Sequence, residues 1–593
     1  MKPLSIVLLI SLLAGCTATP SRPTGVARDD YASVQEYSTR MIRYEMDKHS
    51  VAGLSIALVD DQRIVWSQGF GYADLEKKIP ATAETLYRVG SISKLFTDTA
   101  AMQLAEQGKL DIDRPLRSYL PEFSIKTRHA DAAEITPRQL MTHHSGLPRD
   151  RMKGFFNPHP APFTELVADI REDYADYPPN RILSYSNLGI TLLGNAVQNQ
   201  GGRPFAEHMQ QTLLNPLGMS SSSFEAGLSS SALMAKGYNG REAATEPSLR
   251  DIPAGGLNSS VADLGRFMSM IFADGASGSQ RILKAESVAE MLRPQNTGVP
   301  LDFGLRIGLG WFLNVAGIPA LENAGIVASH GGATQLFRSH MYILPGHKLG
   351  VVVLSNSGTA GEVVHRVAVE TLSLALEAKT GIRQPERKKA QAVKTTLPAE
   401  TLRDYAGAYT TEAGFARVYA SGNGLRVDVA GHTLDLVRRS DGLYALDYSL
   451  LGIFHIDLGN LGEIGLSLRT LNGRDLLVGH LGNEEILVGQ RIQPLPNPDA
   501  WRKYLGDYEI TNLDGDKKLL DRIRLTEEFG FLLVELTATE TGETVRIPLM
   551  PLSDNQGLLL GPLSDGGETV RLVMVDGAER VLVSGYLLKK IDQ

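Results

Sequence analysis

From Val51 onward the apolar positions fall into short runs broken by turn residues. Leu54 to Val59 reads as a strand, Asp60-Asp61-Gln62 as a turn, and Ile64 to Gly69 as the returning strand of a hairpin. The period then changes. In Ser91 to Gln107, Leu95, Ala100, Leu104 and Ala105 recur at helical spacing, and Gly108 stands where a helix would be capped. Helix-like segments and loops continue to about Leu292. Strand pattern returns at Gln335 to Leu344, turns at Pro345-Gly346-His347 and resumes as Leu349 to Leu354; Gly361 to Ala378 then carries Val363, Val367, Val369, Leu372 and Leu376 as an amphipathic helix. Strands at both ends of a region with helices between them predict a single sheet built from the two ends. The expected fold is α/β, an antiparallel sheet flanked by helices with an all-α insertion, over residues 30–382, with a cleft between its parts.

Beyond this region the texture changes. Arg383 to Pro398 is polar and basic, including Arg387-Lys388-Lys389, and reads as a solvated linker. Short alternating strands follow, such as Leu425 to Val429 and Leu434 to Val437, separated by Gly, Asn and Asp turns. Tyr405-Ala406-Gly407-Ala408-Tyr409 is echoed by Tyr504-Leu505-Gly506-Asp507-Tyr508, with Pro494, Pro496 and Pro498 between the two units. Two all-β, barrel-like domains are therefore expected, 399–493 and 494–593, each of about 95 residues. Neither carries a catalytic constellation, so both read as packing or lid modules.

Composition narrows the setting. The 593 residues are 43% hydrophobic and 21% charged, enough apolar material for more than one core. A net charge of -8, with no basic stretch interleaved with aromatics, argues against nucleic acid as a partner. Cys16 is the single cysteine, so no disulfide forms within the chain. It follows Lys2 and an apolar run from Leu4 to Leu13, the pattern of a secretory signal and shorter than the roughly 20 residues that cross a bilayer. Leu13-Ala14-Gly15-Cys16 resembles the bacterial lipoprotein processing site. That resemblance implies lipidation at Cys16, a signal over 1–16, a tether over 17–29 and a membrane partner reached through lipid. Thr17, in place of an inner-membrane-retaining Asp, favours the outer membrane of the cell envelope, facing the periplasm.

The candidate chemistry lies in three short elements. Ser91-Ile92-Ser93-Lys94 places a serine and a lysine three residues apart, on one face of a helix and at its N-terminus, where backbone N–H groups favour an oxyanion. A buried lysine with a lowered pKa can take the proton of such a serine. Tyr185-Ser186-Asn187 precedes an apolar helix, and His330-Gly331-Gly332 stands just before the strand from Gln335, where glycines let a substrate run along a sheet edge. His143-His144 lacks a carboxylate or second histidine pair at ligand spacing and reads as structural; no metal and no cofactor are expected.

With these elements in order, residues 35–378 resemble the serine β-lactamase and penicillin-binding-protein superfamily, particularly its class C-like branch, which includes esterases and D-aminopeptidases. Ile135 to Leu147, Pro216-Leu217-Gly218-Met219 and Pro253-Ala254-Gly255-Gly256-Leu257 add to the resemblance. It implies Ser91 as the acylated nucleophile, Lys94 as its proton acceptor and Tyr185 as base in one half-reaction and acid in the other. Asn187 would bond the substrate amide or Lys94, and His330 would line the pocket. Gly332 would admit substrate, and the N–H groups of Ser91 and Ala333 would form the oxyanion hole. Where classical members carry Lys-Thr-Gly, this chain has His330-Gly331-Gly332, which lacks a fixed cation for a substrate carboxylate. The expected function is therefore cleavage of amide or ester bonds in a small-molecule or peptide substrate, with D-residue peptides or small esters favoured over β-lactams. The alternatives are a weakly active or inactive penicillin-recognising envelope sensor, and a β-lactamase. The sequence leaves the oligomeric state unset.

Overall fold

The computed structural model describes residues 19–130, 132–314, 321–385, 397–450, 454–456, 464–481, 484–494 and 499–591. The signal segment and Cys16 lie outside these residues, as do most of the basic linker and Pro496 and Pro498. Among the described residues no helix is long and apolar enough to cross a membrane.

The first region is a sheet between two helical layers. Its elements are α1 (Tyr31–Lys48), β1 (Gly53–Asp60), β2 (Arg63–Asp74), α2 (Ser93–Glu106), α3 (Asn187–Gly201), α4 (Val261–Phe272), β3 (Ala328–Ala333), β4 (Arg338–Leu344), β5 (Leu349–Ser355) and α5 (Gly361–Thr380). The long strands run antiparallel in the order β3-β4-β5-β1-β2, with Phe312–Leu313 and Arg306–Ile307 beyond β3 and Ile79–Pro80 beyond β2. The pairing of β1 with β5, Ala57 opposite Val352, is the predicted join between the two ends of the region. Because side chains alternate along a strand, β1 feeds two cores. Leu54, Ile56 and Leu58 pack with Val351 and Val353 against α1 and α5. Ala57 and Val59 face the opposite way, with Val352 and Leu354, toward α2, α3 and α4. Each fully buried Val or Leu contributes about 1.5–3 kcal/mol, so this double burial pins the register of the central strands.

Two expected boundaries differ. The helix expected from Ser91 opens instead as a tight 3-10 turn, Gly90–Ile92, and becomes α-helical at Ser93. His330-Gly331-Gly332 does not merely precede a strand: it lies on β3, paired with β4, His330 opposite Met341. The strand expected from Gln335 begins at Arg338, because Thr334 to Phe337 is the turn between them, closed by the Thr334 N–H donating to the Phe337 carbonyl at 3.0 Å.

Two closed eight-stranded barrels follow. The first runs from Gly407–Thr411 to Glu484–Ile492 and closes where Leu436 pairs with Leu446. The second runs from Gly506–Ile510 to Tyr586–Lys590 and closes where Tyr508 pairs with Lys590. The sequence echo marks the same device in both. A short helix enters each barrel, and the second tyrosine of the motif donates its hydroxyl to the first tyrosine's carbonyl, Tyr409 to Tyr405 at 2.8 Å and Tyr508 to Tyr504.

The three bodies share a core. Tyr177, Ile182 and Leu301 of the first region are buried together with Leu476 and Val478 of the first barrel and Leu563 of the second. Asp516 of the second barrel accepts from the Gly154 N–H at 2.8 Å and from the Asn157 amide at 2.7 Å. Arg571 pairs with Asp173 at 3.1 Å, and Asp565 lies between Arg181 and Arg474 at 2.9 and 2.7 Å.

Candidate active site

Ser91 sits at the tip of the turn that opens α2, held against the edge of the sheet by β3. Two glycines permit that approach. Gly90 has φ +55°, a left-handed conformation, and a Cβ there would lie 2.8 Å from the Ala333 nitrogen. A Cβ on Gly332 would lie 2.0 Å from the Val89 carbonyl oxygen and 3.1 Å from the Ser91 nitrogen. The backbones of Ser91 and Ala333 are thus neighbours, in the arrangement that two convergent N–H donors require. Ser339 on β4 fixes the turn by donating to the Val89 carbonyl at 2.7 Å, and Ser93 donates to the Gly90 carbonyl at 2.6 Å.

Lys94 lies below Ser91, wholly buried. Its Nζ donates to Ser91 Oγ at 3.0 Å and to the Ala254 carbonyl at 2.8 Å. Burial outweighs the attraction of Asp150, Asp98 and Asp251 and pulls the ammonium down to about 7, so a large fraction is a neutral amine at physiological pH. Asp98, one turn further along α2, is itself fully buried and held well above the usual carboxylate range by desolvation.

Tyr185 faces both groups. Its ring lies against both, with the Lys94 Nζ 4.9 Å from the ring centroid. Burial pushes the phenol well above its ordinary value, so it stays protonated when the lysine is neutral. Ser186 holds it there by capping α3, accepting from the Gly189 N–H at 2.8 Å and donating to the Pro148 carbonyl at 2.6 Å. Asn187, the first residue of α3, directs its amide N–H to Asp150 at 2.8 Å rather than to Lys94.

His330 is buried on β3, 6.4 Å from Tyr185 and 5.5 Å from Phe312 between ring centroids. Desolvation, and then the Lys94 charge, bring it down to about 3, so it is a neutral imidazole at physiological pH. Its Nδ1 lies 2.7 Å from the Gly331 carbonyl, and its Nε2 is buried without a protein partner.

The structure adds residues that sequence reasoning did not place at the site. His143, read from the sequence as structural, lies with its ring 4.2 Å from that of Tyr185, tilted by 36°; burial holds it well below its ordinary pKa, and it accepts at Nδ1 from the Ser186 N–H at 3.2 Å. Its neighbour His144 is paired with buried Asp302 at 2.8 Å. They follow a short helix, Pro137–Met141, opened by a reciprocal cap between Thr136 and Gln139, and His143 itself is left-handed at φ +57°. Arg149 lays its guanidinium 5.2 Å from the Tyr185 centroid and 3.6 Å from Asp150 while remaining largely exposed, which puts a cation at the rim. Asp150 is raised by burial and joins Asn187 to this loop. Nothing in the spacing of Arg149 and Asp150 marks them; only their position after Ile135 to Leu147 could have drawn attention to them. Among the described residues no group of acidic, histidine or cysteine side chains is arranged to hold a metal.

Comparison with known proteins bears on family and fold. Residues 39–374 match the family model described as Beta-lactamase. The protein flp of Staphylococcus aureus (strain N315) is 24% identical over 332 residues, 54% of this chain and 63% of its own length, so the match spans less than two thirds of that relative. Two solved structures share the fold. That of SurE covers 78% of this chain and 100% of its own at a TM-score of 0.55 and 22% identity. The octameric penicillin-binding protein homologue from Pyrococcus abyssi covers 77% and 98% at 0.50 and 24%. Both cover more of the chain than residues 39–374, so the likeness of fold extends into the barrels. With its family match spanning more than half of the chain, the protein belongs to the beta-lactamase family.

Proposed function

We propose that the protein hydrolyses amide or ester bonds through an acyl-enzyme on Ser91, with peptides containing D-residues or small esters as substrates. The observation that carries this reading is the 3.0 Å contact between Ser91 Oγ and a lysine brought down to about 7. Neutral Lys94 takes the Ser91 proton as Oγ attacks the carbonyl carbon, and the N–H groups of Ser91 and Ala333 receive the oxyanion. Protonated Tyr185 gives its proton to the leaving amine or alcohol and regains one from Lys94. Water then attacks the ester carbonyl, giving one proton to the Lys94–Tyr185 pair; the C–O bond to Ser91 breaks, that proton passes to Ser91 Oγ, and the acid is released.

The preference against β-lactams rests on His330. A neutral imidazole supplies no fixed charge for a substrate carboxylate, and an uncharged amide or ester needs none. Turnover by the wild type and Ser91→Ala of D- and L-aminoacyl amides, small esters and a chromogenic cephalosporin tests this. The expected result is Ser91-dependent cleavage of an amide or ester well above the cephalosporin. Efficient cephalosporin turnover with no amide or ester cleavage overturns it. The reading includes a lipid anchor on Cys16, supported by Leu13-Ala14-Gly15-Cys16. Metabolic labelling with a fatty-acid analogue should mark the wild type and not Cys16→Ser.

A further inference from the structure

The second barrel encloses a cavity of about 250 Å3 that the chemistry at Ser91 does not use. Its wall is almost wholly hydrocarbon, drawn from inward positions such as Leu525, Val534, Leu536, Leu549, Val570 and Val581. Trp501 also faces it, with its indole N–H satisfied by the Ser553 carbonyl at 2.9 Å. Protein interiors pack at crystal density and leave few voids larger than a water molecule, and the stability lost to a void grows with its volume. An eight-stranded barrel has just enough width for its side chains to fill it or for one small ligand. Here the inward side chains leave it unfilled, and apolar cavities of this kind stay dry and accept apolar guests.

One end of the cavity is polar and touches the catalytic region. Glu568 and Ser584 face it. Ser584 Oγ accepts from the Met152 N–H at 2.9 Å, and the Tyr586 hydroxyl reaches the Met152 carbonyl at 3.2 Å and Asp516 at 3.1 Å. Met152 itself lines the cavity. Of the two cations at the wall, Lys517 is engaged by Glu540 at 2.8 Å, and Arg524 lies 4.0 Å from Asp507 with its Nε making no hydrogen bond.

We propose that the lumen of the second barrel binds a single alkyl or acyl chain, its tail among the aliphatic wall residues and an uncharged polar end, a hydroxyl or amide, at Glu568 and Ser584. A carboxylate head is disfavoured because it would meet the Glu568 carboxyl at that end, within a wall that is otherwise hydrocarbon. A cationic head would have to shed its water among hydrocarbon with only a carboxyl near neutrality to receive it.

Trp501 is a built-in reporter. The full chain is titrated with 1-decanol, with decanoate at pH 8 and with phosphatidylcholine vesicles, which separates a free chain from one held in a bilayer. The expected result is a saturable change in Trp501 emission at one 1-decanol per chain, with decanoate weaker by about tenfold or more. Val534→Phe and Leu536→Phe fill the lumen and should each abolish the change without lowering the melting temperature. Should either fold poorly, a bromine-tagged alkanol quenching the wild type reads the same point, the saturable part being lost in Trp501→Phe. The proposal is overturned by the absence of saturable 1-decanol binding, by a response to vesicles alone, by decanoate binding as tightly as 1-decanol, by binding unchanged in both folded lumen-filled variants, or by quenching that persists in Trp501→Phe.

Discussion

At the scale of the residue, Lys94 is in conflict with its surroundings. A fully buried ammonium loses hydration that two hydrogen bonds only partly replace, and its folded pKa, about 7, lies below the ordinary lysine value of 10.5. The unfolded chain thus binds the proton more tightly across pH 7 to 10.5, and this residue's contribution to stability rises with pH through that window. Lys94→Met should therefore abolish turnover yet melt higher than the wild type at pH 6, by on the order of 1–4 kcal/mol, with the gain shrinking toward pH 9. Thermal melts across that range check both sign and trend. Because the neutral amine is the acceptor, kcat/KM for acylation should climb with an apparent pKa near 7, and Tyr185→Phe should lower it by about 10²- to 10⁴-fold with the fold intact. Ser91 and Lys94 were legible in the sequence because their spacing of three puts them on one helix face. Arg149, Asp150 and the ring of His143 were not, since nothing local shows that a loop will fold back over Tyr185.

At the scale of the element, the site depends on how closely β3 lies against the turn before α2. The sequence pointed to a strand only after the glycines, because Ala-Ser-His-Gly-Gly-Ala has no apolar alternation and owes its strand form to pairing with β4. The hairpin of β1 and β2, α5 and the buried strand β5 carry strong patterns and were legible from them. Gly332 gives the sharpest test of the element. Gly332→Ala would drive a methyl into the Val89 carbonyl and push β3 away from Ser91. The expected cost is about 1–3 kcal/mol of stability, together with a fall in turnover larger than the stability loss explains, measured by melting and by kcat/KM on the folded fraction. Full activity in a stable Gly332→Ala protein would contradict the close approach.

At the scale of the whole molecule, the barrels are built into the catalytic region rather than strung from it. Contacts such as Arg181 with Asp565 join residues 384 positions apart, and the shared core of Tyr177, Ile182, Leu301, Leu476, Val478 and Leu563 draws on all three bodies. Two all-β units were legible as alternating strands between Gly, Asn and Asp turns. Their docking was not, because no local pattern encodes which faces of separately folded units will meet. A cut within Arg383 to Pro398 should leave the two pieces associated on size-exclusion chromatography, whereas residues 1–382 alone should melt lower and aggregate, with that apolar surface exposed. The central claim, acylation at Ser91, is tested most directly on the full-length protein by intact mass after a fluorophosphonate probe, followed by peptide mapping. The account predicts one adduct, located on Ser91 and absent from Ser91→Ala; an adduct on another residue, one that persists in Ser91→Ala, or none on the folded wild type would contradict it.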